Sequence, residues 1–234
     1  MRCSPFLGMA SKERRAERAL VRRLAAVFLL IGSLVLAAAA LGGPPRLEQK
    51  RLRPADMALA RNVALKARDL AAGWSSTTPS NAPAQVPHCP GADLDFSRFT
   101  ITGQARSAFA KGPSSVQSLV EVFKNRRDAV GDFRKATAPK VLACLGPELE
   151  RQGRQQGLDV NVESLRSAGR PAVGERAFAV HAVLSVAGGA GRVRIYMDVI
   201  GVQRGRSGVA LYFMGTSPVP GRLAVARSVA ARMR

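Results

Sequence analysis

Residues 175–215 constrain the fold more than any other part of this chain, because they hold three strand-like runs separated by two glycine-rich breaks. In the first run Phe178, Val180, Ala182, Leu184 and Val186 alternate with Ala179, His181 and Ser185. In the second, Val193, Ile195, Met197 and Val199 alternate with Arg192, Arg194, Tyr196 and Asp198. Val209, Leu211 and Phe213 alternate with Gly208, Ala210 and Tyr212 in the third. A period of two sends alternate side chains to opposite faces, so the stretch predicts a half-buried antiparallel meander. Gly188-Gly189-Ala190-Gly191 and Arg204-Gly205-Arg206 supply its turns, since glycine takes a positive φ without steric cost.

The flanking segments extend this pattern. Residues 54–70 read as a helix that Pro54 starts and Gly73 stops, with Met57, Ala60, Val63, Ala67, Leu70 and Trp74 in one apolar stripe. Residues 75–90 have no period and read as a linker. Two strands follow, over 99–109 and 115–123. Asn125 then caps a helix that Pro139 interrupts, and further helical pieces are expected over 139–145 and from Pro147 to about Gln155. A short strand over 160–165 precedes the meander, and a helix closes the chain after Pro218-Val219-Pro220. The order predicts an α+β fold: a twisted antiparallel sheet of about six strands flanked by helices, preceded by one N-terminal transmembrane helix. Its core is expected where Phe178, Val180, Leu184, Val193, Ile195, Val199, Leu211 and Phe213 meet Leu223, Ala226, Val229, Ala230 and Met233 of the last helix.

Hydropathy and charge set the placement. Residues 1–23 are a basic leader, and residues 24–43 carry no charge over about the twenty residues needed to cross a bilayer. An uncleaved anchor is expected, with a signal peptide cleaved near Ala38-Ala39-Ala40 as its rival. Basic residues before the span hold that end in the cytoplasm, although Arg46, Lys50, Arg51 and Arg53 flank the far side. No cysteine ends the span, so lipobox lipidation is not expected. Residues 44–90 then form a juxtamembrane helix and linker, and residues 91–234 an extracytoplasmic α+β domain. Of the formal charge of +20, residues 44–234 carry +15, from 29 basic and 14 acidic residues. Such a field favours an anionic envelope polymer or lipid as partner. Interleaved aromatic residues of the kind that stack bases are missing, so no nucleic acid is expected. The blander source of the charge is composition, since most basic residues are Arg in a chain also rich in Ala, Gly, Val and Pro.

The sequence offers little chemistry. Of three cysteines, Cys3 lies on the cytoplasmic side. Cys89 and Cys144 lie outside, where disulfides persist, so a bridge is expected, with two buried thiols as the alternative. No metal is expected, because His88 beside Cys89 makes no ligand set and CxxC or HxxxH spacing is missing. His181 and Ser185 share a strand face, as any period-two strand allows, and they read as structural. Asp93 and Asp95 read as an Asx-type turn. Gly188–Gly191 precedes a strand, not the helix N-terminus that holds phosphate. Arg192, Arg194, Arg204 and Arg206, near the hairpin ends, form a candidate anion site. No catalytic residue and no cofactor are expected.

The run Asp69-Leu70-Ala71-Ala72-Gly73-Trp74, then Cys89-Pro90-Gly91-Ala92-Asp93, Cys144-Leu145, the meander and the helix from Pro218 to Met233 resembles secreted or membrane-anchored actinobacterial proteins. Their outer domains look like the sensor domains of some bacterial receptor kinases and like the Mog1/PsbP-like lipoproteins. The likeness covers roughly residues 54–234. It implies a twisted antiparallel sheet flanked by helices and a non-catalytic binding role. The functional expectation is a single-pass, extracytoplasmic binding or sensor-like module without catalytic activity. The alternatives are a basic adaptor for anionic envelope polymers or lipid surfaces, and a secreted envelope enzyme.

Overall fold

In the computed structural model, which describes residues 47–79, 89–188 and 191–233, the chain runs β1 (Gln49–Lys50), α1 (Pro54–Val63), a 3-10 turn (Ala67–Asp69), β2 (Ser75–Thr77), β3 (Thr100–Lys111) and β4 (Ser114–Phe123). It continues through α2 (Arg126–Ala136), α3 (Pro139–Gln155), β5 (Asp159–Ser167), β6 (Arg176–Gly188), β7 (Gly191–Arg204), β8 (Ser207–Gly215) and α4 (Arg222–Ala230). The strands form one mixed, eight-stranded sheet in the order β1-β3-β4-β8-β7-β6-β5, with β2 also on β3. The expected meander is present as β6, β7 and β8, and β8 closes against β4.

Three features differ from the sequence expectation, and the first is that the helix expected over 54–70 ends at Val63 and is followed by the separate 3-10 turn. β1 pairs with β3 in parallel and β2 pairs with it antiparallel, so a short strand lies at each end of β3. At two and three residues these strands are too short to show a period. The segment 139–155 is also one continuous helix that contains Pro147. Pro147 and Ala143, whose carbonyl loses its helical donor, both face solvent, so water can replace the missing bond.

Local signals explain the other boundaries. The Asn125 side chain accepts from the Asp128 backbone N–H at 2.8 Å, which starts α2. Ala138 takes the extended conformation that a following proline imposes, which separates α2 from α3. Gly103 lets α1 rest directly on β3, since a Cβ there would lie 2.2 Å from the Asp56 carbonyl oxygen.

Both faces of the sheet are covered. On the front face Val120, Ile200, Val202, Leu211 and Phe213 pack with Ala60 and Val63 of α1 and with Val225, Ala226 and Val229 of α4. On the back face Leu184, Ile195, Met197, Val199 and Tyr212 pack with Leu149 of α3. A third cluster joins Cys89, Leu94, Phe96 and Phe123 to Ala129 of α2 and Val141 of α3. Of the strand residues expected against the last helix, only Leu211 and Phe213 are on its face; Phe178, Val180, Leu184, Val193, Ile195 and Val199 point away from it. Leu223 of that helix is 44% exposed.

α1, expected ahead of the domain, lies within the same core as the meander. The segment 47–234 carries all three core clusters found among the described residues. Among the described residues no helix is long and apolar enough to cross a membrane; the span expected over 24–43 lies outside them.

Candidate functional site

The back face leaves space beneath the elbow between α2 and α3. A cavity of about 80 Å³ has Leu119, Val199, Gly201 and Ala210 of the sheet as floor, and Phe133, Leu142 and Leu145 of the helices as roof. A wider cleft of about 530 Å³ opens beside it, between the α2–α3 elbow and the segment leading into β6. Phe133, Leu142 and Phe178 line both, so the two spaces meet there. The Phe133 and Phe178 rings stand edge to face with centroids 5.7 Å apart. Gly201 makes this possible: a Cβ at that position would lie 2.0 Å from the Phe178 ring, so Phe178 lies directly over β7.

The two spaces differ in their ionisable groups, acids in the inner one and mainly arginines in the outer. The inner one holds Glu48, Glu121 and Asp132. Burial, then the charge of Glu48, pushes Glu121 up to about 7, against a hydrogen bond that Gln104 Nε2 donates to its Oε1 at 2.9 Å. Asp132 lies well above its ordinary range through burial and the charges of Glu121 and Glu48. Glu48 is also raised by burial, with Lys50 and a hydrogen bond to Asp132 opposing the shift. These carboxyls therefore hold protons at pH values where an exposed acid has lost them. The outer cleft is lined by Arg134, Arg170 and Arg176. Arg176 donates to the buried Gln203 side chain at 3.1 Å, and Gln203 also lines the inner cavity.

Cys89 and Cys144 form a disulfide, with Cα atoms 5.5 Å apart. It ties the segment before β3 to α3, beside Phe96 and Val141 of the inner cavity. The four candidate anion-binding arginines do not converge. Arg192 and Arg194 are at the first end of β7 and Arg204 and Arg206 at its other end, roughly 40 Å away at strand rise. Arg192 pairs with Asp159, Arg194 with Glu163 at 2.8 Å, and Arg206 with the buried Asp56. Arg204 is exposed at the β7–β8 turn.

His181 Nδ1 meets Asp198 Oδ1 at 3.0 Å across the β6–β7 pair, and Arg222 reaches the other carboxylate oxygen at 3.2 Å. The Ser185 hydroxyl instead accepts from Arg192 at 3.4 Å. Asp93 Oδ1 accepts from the Asp95 N–H at 3.2 Å, as an Asx turn requires. His88 lies outside the described residues. Among the described residues no three His, Cys, Asp or Glu side chains are placed to hold a metal ion.

Sequence reasoning missed the residues at the cleft. Two of them carried a signal. Glu121 interrupts the apolar run Leu119-Val120-Glu121-Val122-Phe123, and Asp132 falls on the same side of α2 as Ala129, Phe133 and Ala136. No protein-family model matches this chain, and no curated protein matches it either.

Proposed function

We propose that this chain is a membrane-anchored, extracytoplasmic binding module that takes a small, largely apolar molecule beneath the α2–α3 elbow and performs no chemistry on it. The observation that carries the reading is the pair of spaces meeting at Phe133, Leu142 and Phe178, with apolar walls and a few polar groups at the ends. Ligand sites have this composition, in which apolar walls supply affinity and sparse polar groups fix orientation. The resemblance to extracytoplasmic sensor domains and to Mog1/PsbP-like lipoproteins supports the same reading. The anchor rests on the charge-free residues 24–43 after a basic leader.

Nile red, a neutral dye that brightens in apolar surroundings, tests the site on the segment 47–234. Saturable, one-site enhancement is expected, and Ala210→Phe, which fills the inner floor, should abolish it while leaving a cooperative urea transition. No saturable enhancement, or enhancement indifferent to that substitution, refutes the reading. Placement is tested separately: alkaline phosphatase fused after Arg234 should be active, and an inactive fusion that is stably produced puts the domain in the cytoplasm.

A further inference from the structure

We propose that the occupant of this cleft is a single-chain anionic amphiphile, its carboxylate or phosphate head held by Arg134, Arg170 and Arg176 and its chain passing Phe178 into the inner cavity. The inference rests on the binding reading above and adds the ligand's charge and direction. Charge complementarity carries it. The three arginines gather on the outer opening, an apolar junction separates them from the inner cavity, and among the described residues the hydrogen bond of Arg176 goes to the neutral amide of Gln203. The one carboxylate among the residues lining that opening, Glu175, is already engaged by Arg126 at 2.7 Å and by the Gly205 N–H at 3.2 Å.

The far end fixes the direction. Glu48, Glu121 and Asp132 line the inner cavity and no Lys or Arg is among its lining residues, so an anionic head there would be buried without a cation to pair with. The head therefore stays outside and the chain lies inside. The chain's route is set by side chains common to both spaces, since Phe133, Leu142 and Phe178 offer apolar surface on each side of the junction. Arg134 and Arg170 are exposed, so they can close on a head group without leaving an existing partner buried and unpaired. The basic excess of the chain also favours arrival of an anion over a cation.

Displacement of Nile red from the segment 47–234 by four competitors tests this. Decanoate should displace the dye at about tenfold lower concentration than decanol, the gain two or three exposed charge contacts give. That preference should shrink at high salt, where such contacts are screened. Decylamine should be no better than decanol, and inorganic phosphate alone should not displace the dye. The double variant Arg134→Gln/Arg170→Gln should retain dye binding and lose the preference for decanoate. Equal displacement by decanoate and decanol, tightest displacement by decylamine, displacement by phosphate alone, or a preference that survives the double variant each overturns the inference and leaves the binding reading standing. Failure of the dye to bind at all removes both.

Discussion

At the scale of single residues, Glu121 is the most consequential side chain at the cleft. It lies in β4 between Val120 and Val122, on the back face beneath α2. Glu48 and Asp132 face it, Gln104 donates to it, and Lys50 and Arg106 are the cations whose charge reaches it. An acid whose pKa rises on folding, here to about 7, favours the folded state fully below its unfolded pKa. That contribution is lost as pH rises through the folded value. Glu121→Gln should therefore stabilise the domain by about 1–3 kcal/mol at pH 8 and leave it unchanged at pH 4. Equal urea midpoint shifts at both pH values would mean that the carboxyl is solvated. The charge inside an apolar strand was visible in the sequence. Its partner Glu48 was not, because Glu48 reaches the cavity through β1, a two-residue strand with no period to read.

At the scale of elements, the sheet is covered by helices on both faces, and this decides which substitutions are costly. The strands of the meander were legible because their larger apolar residues recur with a period of two, most plainly at the start of β7. From Ile195 to Gln203, however, nearly every residue of β7 is buried, which a one-faced sheet does not allow. A continuous apolar run tells the reader that both faces are covered and does not say which helix covers which. That is why the last helix was expected against Leu184 and Ile195, when it packs with Leu211 and Phe213. Leu211→Ala on the front face and Leu184→Ala on the back face should each cost about 2–5 kcal/mol, since both side chains are fully buried. Arg227→Ala, on the exposed side of α4, should stay within about 0.5 kcal/mol. Urea melts decide between two covered faces and one: a small effect at Leu184 would leave the back face without a helix layer.

At the scale of the whole molecule, long-range links join parts of the chain that local signals leave separate. The Cys89–Cys144 bridge spans 55 residues and holds the segment before β3 against α3. In the loop-entropy account such a crosslink contributes about 4 kcal/mol. Cys89→Ala/Cys144→Ala should lower stability by about 2–4 kcal/mol, and dithiothreitol should destabilise the native sequence to the same degree without affecting the variant. The two cysteines were legible as a pair from the placement that the charge-free residues 24–43 predict. The ion pairs were not, because Asp56 meets Arg206 and Asp69 meets Arg232 across most of the chain.

These ion pairs and the carboxyls of the cleft together set how the whole domain responds to pH. Hydrogen bonds from Arg206 hold Asp56 below the usual carboxylate range. Burial alone would raise Asp69, but hydrogen bonds from Arg232 and Ser228 outweigh it and hold this group low as well. A lowered acid stabilises the fold above its unfolded pKa of about 3.9, and that contribution is lost as pH falls through the folded value. Glu121 and Asp132 act in the opposite sense, because their contribution is lost as pH rises. The two limbs leave a stability maximum between about pH 4 and pH 6, well below the sequence isoelectric point of about 11.5. Thermal melts across this range should show the maximum, with Glu121→Gln flattening the decline on its alkaline side. Asp69→Asn should lower the maximum and flatten the decline on its acid side. Stability that climbs steadily to pH 8 in the native sequence would show that the inner carboxyls are ionised without penalty, and the cavity they line would then be a wet one.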